Sequence, residues 1–323
     1  MNRPSRILVI RLGALGDLVL CFQAFHEIRQ AHPGAEIAFL TMPQFADFSR
    51  TMPWFDKVII DERAPLSQFG KWWALITQIR AFNPTRIYDL QGKLRQNILY
   101  FLLGCPKGWS GAAPFCQYPR PWPPQPAMHF TDFIAAQLRA AGVPVQPPAD
   151  LSWCDASLEE FSLLGRYAVL IPGCAPGRDY KRWPAAAYAD LVARLRKTYT
   201  PIILVGTKAD ADAIDAIKHL APDVLDFSGQ TNLRQLAAIF RHSACVIGND
   251  TGPTHLAAAV GAPTVALMPG EVNAAWAAPK GVLVESLKGD PLGSLPVREV
   301  LLALDCVLDK SNAANTHRTK DRA

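Results

Sequence analysis

Short apolar runs alternate with stretches of helical periodicity almost from end to end. In the first half the runs at 7–10, 37–40, 58–60 and 87–90 are short, continuous and rich in branched side chains, as in strands buried on both faces. Between the first two, Leu18, Cys21, Phe22, Phe25 and Ile28 recur at three- and four-residue spacing, which predicts an amphipathic helix. Pro33-Gly34 closes the turn after it. In the second half strands are expected at 168–171, 202–205, 224–227, 245–248, 264–267 and 282–285, with helices such as 185–197 and 233–242 between them. This alternation predicts parallel sheets covered by helices on both faces.

The pattern breaks at 104–126, where Pro106, Pro114, Pro119, Pro121, Pro123, Pro124 and Pro126 exclude a central strand or helix. A second proline-rich stretch, 144–148, precedes the restart of the strand pattern and places a domain boundary between Pro144 and Arg166. The expected architecture is α/β, two Rossmann-like domains facing each other across a cleft, at 1–155 and 156–309. The polar, aperiodic stretch 310–323 is expected to be a disordered tail.

Composition narrows the class. Half of the residues are hydrophobic and 19% are charged, as in a globular chain. The densest apolar stretch, 98–103, falls far short of the ~18 residues of a membrane span. The amino terminus runs directly into a strand, without a signal-peptide pattern. Seven cysteines with no Cys-x-x-Cys pair argue against a disulfide framework or a zinc site, and for a reducing cytoplasm. Cys21, Cys174 and Cys245 sit in apolar surroundings and are expected in the core.

The net charge of +5 is one-sided, since residues 1–150 carry 15 Lys/Arg against 10 Asp/Glu and residues 151–323 carry 18 of each. Between Arg63 and Thr131 eight basic residues face one acid, Asp89, and Trp72, Trp73, Trp109 and Trp122 fall in the same window. That mixture suits an anionic membrane surface or a phosphorylated acceptor; a solvated basic face over core tryptophans has the same signature. No nucleic-acid-binding motif accompanies the charge, so no nucleic-acid partner is expected.

Three loops carry chemistry. The first, RLGALGD at 11–17, follows the first strand and opens a helix; Gly13 and Gly16 permit a tight turn, and Asp17 is either a first-turn acid favoured by the helix dipole or a general base for an acceptor hydroxyl. Its glycines are three apart, which is not the dinucleotide fingerprint. The second, IPGCAPGRDYKRWP at 171–184, sets Lys181 and Arg182 just before a helix; Gly173 and Gly177 are expected to leave the loop flexible and its amides open to a diphosphate. In the third, at 245–267, Asp250 projects from a strand end and Thr251-Gly252-Pro253 starts a helix whose first turn holds Thr254 and His255, an arrangement suited to an anion. A lone histidine there is also a common structural donor. Asp210 and Asp212 imitate an Asp-x-Asp metal signature, but at a helix start, where acids favour the dipole; no metal is assigned.

Taken in order, Gly13–Asp17, Asp89-Leu90-Gln91-Gly92, Lys181-Arg182-Trp183-Pro184, Phe227-Ser228-Gly229 and Asp250-Thr251-Gly252-Pro253-Thr254-His255 resemble glycosyltransferase family 9, the bacterial lipopolysaccharide heptosyltransferases, over most of 5–309. The resemblance implies a GT-B fold with the acceptor on the first domain and the donor on the second. It implies inverting, metal-independent transfer without a cofactor, from ADP-L-glycero-D-manno-heptose to a 3-deoxy-manno-octulosonate or heptose of a lipid-linked core. It also implies a cytoplasmic enzyme, peripheral on the anionic inner face of the inner membrane. Carried over, Asp17 is the general base and Lys181, assisted by Arg182, holds the diphosphate. Asp250, Thr251, Gly252, Thr254 and His255 form the donor turn. Gln91, Lys93, Arg95 and Arg120, with Lys107, are candidates to meet acceptor carboxylates or phosphates. One departure stands out: relatives often carry Ser or Thr hydroxyls before the Lys-Arg-Trp-Pro element, where this chain has Cys174, Ala175 and Pro176. The alternatives left open are a nucleotide-sugar epimerase of the same architecture and a non-catalytic sugar-nucleotide-binding envelope protein.

Overall fold

The computed structural model describes residues 5–122, 128–163 and 165–320, with side chains up to residue 313, so Pro123, Pro124 and Pro126 lie outside the described residues. The chain divides into two compact units after Trp153, two residues from the expected boundary. Trp153 belongs with the first because its ring packs at 5.8 Å from Phe22, 5.4 Å from Phe48 and 5.3 Å from Trp54.

The first unit runs β1 (Arg6–Ile10), α1 (Leu15–Val19), α2 (Phe22–Ala31), β2 (Glu36–Thr41), α3 (Ala46–Arg50), β3 (Lys57–Ile60), α4 (Phe69–Phe82), β4 (Arg86–Asp89), α5 (Leu94–Leu102), β5 (Trp109–Gly111), β6 (Tyr118–Pro119) and α6 (Phe130–Ala140). Its parallel sheet has the order β3-β2-β1-β4-β5-β6. β1 is central, with Ile7 opposite Ile37 on one side and Arg86 on the other. Flanked by strands and covered on both faces, it is apolar at every buried position, which is why its sequence is a continuous run and not an alternation.

The second unit runs β7 (Ala168–Ile171), α7 (Ala185–Leu195), β8 (Ile202–Leu204), α8 (Ala211–Leu220), β9 (Leu225–Asp226), α9 (Leu233–His242), β10 (Cys245–Asn249), α10 (Gly252–Ala259), β11 (Thr264–Pro269), α11 (Ala274–Ala277), β12 (Val284–Gly289) and α12 (Val297–Lys320). Its sheet, β12-β11-β10-β7-β8-β9, repeats the topology of the first. In each unit the winding direction reverses between the first strand and the fourth, β1/β4 and β7/β10. Ligands of doubly wound sheets bind at the carboxyl ends of the strands flanking such a reversal.

Four expectations need correction. The amphipathic stripe after β1 is all buried, yet it spans two helices: the Cys21 amide bonds to Leu18 O at 3.0 Å, tightening the last turn of α1 before α2 begins. The proline-rich stretch holds two short strands; β5 contains no proline, and Pro119 sits on the outermost strand, where its missing N–H costs nothing. The last strand lies later than 282–285, because pairing with β11 starts at Val284 and leaves Val282 exposed. The stretch expected to be disordered from Lys310 continues α12 to Lys320, helped at its start by the Lys310–Glu285 ion pair at 2.5 Å. Cys21, Cys174 and Cys245 are buried as expected, and burial pushes the Cys21 thiol up to about 11 and the Cys245 thiol up to about 12.

Candidate active site

The first unit gathers its polar residues at the carboxyl ends of β1 and β4. Asp17 sits in the first turn of α1, its side chain 48% exposed. Its carboxylate accepts the Ala14 amide at 3.2 Å and pairs with Arg11 at 3.0 Å. The helix-start role of Asp17 is therefore filled, and close to half of its side chain is still exposed. Gly13 makes the turn possible, with φ of 127° and the edge of Phe45 where a β-carbon would lie. Arg11 is 3% exposed; it also donates to Leu90 O at 2.6 Å and lies 4.9 Å from the Phe130 ring centroid.

The Asp89-Leu90-Gln91-Gly92 loop faces the same turn. The Leu12 amide donates to Gln91 Oε1 at 2.9 Å, so Gln91 ties the β4 loop to the β1 loop. Asp89, fully buried, accepts the amides of Gln91 and Gly92 at 3.0 and 2.9 Å through one oxygen, and its other oxygen has no partner among the described residues. Burial pushes its carboxyl above the ordinary range, against the pull of Arg120 and the two amides. Arg120 donates to Asp89 O at 2.8 Å and to Gln137 Oε1 at 2.5 Å, and Gln137 reaches Asp89 O at 3.0 Å. Arg95 is spent internally, bidentate on Asp61 and on Ala64 O. Of the expected acceptor ligands only Lys93 and Lys107 are exposed. Arg95 and Arg120 hold the fold around the loop instead.

In the second unit the loops after β7 and β10 meet. Lys181 Nζ lies 2.5 Å from Asp250 Oδ2 and 3.4 Å from Asp250 O, and His255 Nε2 lies 3.5 Å from Asp250 Oδ1. All three side chains are nearly buried, 12, 6 and 8% exposed. Burial alone raises the Asp250 carboxyl, but the bonds from His255 and Lys181 prevail and hold it below the ordinary range. His255 Nδ1 has no partner among the described residues. Thr251 is the N-cap of α10 without a side-chain cap bond, so the first-turn amides of the helix are not satisfied by it. Thr254 donates to Asn249 O at 2.6 Å and fixes the turn. Arg182 pairs with Asp179 at 3.3 Å, not with the Asp250 cluster.

Gly173 does not open the loop amides as expected. A β-carbon there would lie 2.4 Å from the Asp210 carboxyl, and Asp210 takes the Cys174 amide at 3.1 Å and the Thr207 amide at 2.8 Å. The glycine admits a buried carboxylate that clamps the loop. Asp210 is thereby engaged by the protein's own donors, while Asp212 is exposed. Sequence reasoning missed Arg11, Gln137 and Asn249. Asn249 accepts the Trp183 amide at 3.2 Å and donates to Pro172 O at 2.7 Å, fastening the β7 loop to β10. The available signal was an arginine directly after an apolar strand and an asparagine inside a buried one; nothing marked Gln137 on α6.

The family model of glycosyltransferase family 9 (heptosyltransferase) matches residues 72–269. Lipooligosaccharide heptosyltransferase 2 of Haemophilus influenzae is 27% identical over 173 residues, 48% of this chain and 49% of that protein. Lipopolysaccharide core heptosyltransferase OpsX of the same organism is 22% identical over 82% of this chain and 79% of its own length. Among solved structures, the ADP-heptose lipopolysaccharide heptosyltransferase II of Escherichia coli shares the fold with a TM-score of 0.76 at 21% identity, over 95% of this chain and 99% of that one. A family 9 glycosyltransferase of Veillonella parvula does so with a TM-score of 0.82 at 19% identity, over 95 and 98%. With a GT-B pair of doubly wound sheets, and with polar clusters at both points where the winding reverses, this chain belongs to glycosyltransferase family 9, the heptosyltransferases.

Proposed function

We propose that the chain transfers heptose, with inversion and without a metal, from an ADP-sugar to a hydroxyl of a lipid-linked lipopolysaccharide core. The observation that carries this reading is the pairing of chemistries at the two sheet edges: a half-exposed carboxylate in one unit, and in the other a cation beside a helix start that the Thr251 side chain does not cap. Asp17 takes the proton of the acceptor hydroxyl as that oxygen attacks the anomeric carbon. Negative charge then builds on the departing nucleoside diphosphate, where Lys181 and the amides at the start of α10 stabilise it. Asp250, Thr251, Gly252, Thr254 and His255 shape the donor turn, and the hydroxyls absent at Cys174, Ala175 and Pro176 shift the diphosphate onto Lys181 and that helix start. Gln91 and Lys93 are the acceptor-side candidates that remain at the loop. The enzyme works in the cytoplasm, where the acceptor's lipid places it at the anionic inner membrane surface.

A melting-temperature panel of nucleotides and nucleotide sugars tests the donor. A ligand at one hundred times its Kd adds about 2.7 kcal/mol to folding, so ADP-heptose and ADP should raise the melting temperature where UDP- and GDP-sugars do not. A shift confined to a UDP-sugar, with product formed in the absence of any acceptor, would favour an epimerase instead.

A further inference from the structure

Eight of the fourteen large hydrophobic side chains left exposed among the described residues lie between Leu66 and Trp122. On α4, Phe69 and Trp73 stand four residues apart, hence on one face, 78 and 66% exposed. On α5, Leu94 and Phe101 stand seven apart and share an outward face with Leu102. Both helices already bury an inner apolar face against the sheet, Trp72, Leu75, Ile76, Ile79 and Phe82 from α4 and Leu99 and Tyr100 from α5. They are neighbours: Arg95 of α5 lies 4.1 Å from the Trp72 ring centroid, and Arg80 of α4 donates to Leu102 O at 2.9 Å. Their outward faces therefore adjoin, and their first turns start at the same sheet edge as the Asp17 loop.

The charge around this face is positive on balance. Asp89, the acid facing eight basic residues between Arg63 and Thr131, is fully buried and contributes nothing to the surface. Arg63, Lys71, Arg80, Lys93 and Lys107 are exposed. Just upstream, Asp61 is buried beneath Arg95, and Glu62 is paired with Lys71 at 2.7 Å. A second copy of the chain would bring like charges together on such a face, whereas an anionic bilayer complements it.

We propose that the outward faces of α4 and α5 dock on an anionic lipid bilayer, with Phe69, Trp73, Leu94 and Phe101 entering the headgroup region and Arg63 and Lys71 meeting phosphates. The proposal rests on the reading that the acceptor is carried by a membrane lipid. It places the Asp17 edge of the first unit at the bilayer surface, where that acceptor's sugars emerge.

The test is co-sedimentation of the full chain with vesicles of phosphatidylcholine and phosphatidylglycerol, against phosphatidylcholine alone. Binding is expected to the mixed vesicles only, to weaken with salt, and to shift tryptophan emission to the blue. The Phe69→Ser/Trp73→Ser double variant should bind at least about tenfold more weakly. Removing Arg63 and Lys71 as glutamines should weaken binding by about fivefold per charge. Both variants should keep the wild-type melting temperature and wild-type transfer to a water-soluble fragment of the acceptor. Wild-type chain that ignores the mixed vesicles, or double-variant chain that binds them unchanged, overturns the proposal, as does a double variant that alters self-association in place of vesicle binding. Lost vesicle binding with intact transfer leaves the transferase reading standing; intact vesicle binding without transfer removes that reading and leaves the docking surface.

Discussion

The two units share a sheet order and place their polar clusters at equivalent points, yet they treat charge in opposite ways. At the end of β1 the carboxylate of Asp17 is half exposed, while its arginine partner is buried beneath it. At the end of β10 the whole cluster is sequestered: Lys181 and His255 both contact Asp250, at 12, 8 and 6% exposure respectively. One topology can thus expose a carboxylate or sequester a cation, depending on which partner the fold buries. A base must be reachable by the hydroxyl it deprotonates. In the proposed transfer, Lys181 would have to exchange its internal partner Asp250 for the diphosphate.

The largest effect should come from breaking the stored pair. Lys181→Ala removes the cation from the leaving group and leaves Asp250 with His255 alone. Transfer should fall by about 10²–10³, and folding should weaken by roughly 3–5 kcal/mol, as when one partner of a buried pair is removed. Steady-state kinetics with a melting curve measures both, and unchanged kinetics would show that the cation has no part in transfer.

Next in size is the packing that holds the second loop. Gly173→Ala drives a methyl into the Asp210 carboxyl and should cost about 1–3 kcal/mol as overpacking. The equivalent change at Gly34, where a β-carbon meets nothing, should cost almost nothing by the same denaturant titration. Equal costs would mean that the Asp210 clamp is not what Gly173 serves.

The smallest effect separates the clusters by pH. Because Asp250 is held below its ordinary value in the folded chain, its contribution to stability is present above the unfolded carboxylate range and is lost as pH falls through the depressed value. Asp89 has the opposite sign: raised by burial, it favours folding below the unfolded value and loses that contribution as pH rises through the folded one. The stability gap between wild type and Asp250→Asn should therefore narrow with acid, while the gap for Asp89→Asn moves the other way. Parallel curves in denaturant titrations across pH would contradict the assignment.

Much of this was legible in the sequence for physical reasons that are local. Buried parallel strands such as β1 and β7 are continuous apolar runs, and the loops after them carry glycines and charges in short, ordered motifs. What stayed hidden depends on partners distant along the chain. Gly173 looked like a flexible loop glycine, but its meaning lies in Asp210. Arg95 and Arg120 read as candidates to meet acceptor carboxylates or phosphates, but Asp61 and Gln137 bond to them. Strands as short as β5 and β6 have too few residues to show a period; β5 forms against the β4 edge and β6 against β5.

Single-turnover transfer from ADP-heptose to a soluble core fragment by Asp17→Asn tests the account most directly. The substitution keeps the side-chain shape and can still accept the Ala14 amide, but it cannot take a proton. Turnover should drop by at least about a hundredfold while the donor's effect on melting temperature is retained. Wild-type turnover in that variant would remove the base from the mechanism and leave the carboxylate as a helix-start acid only.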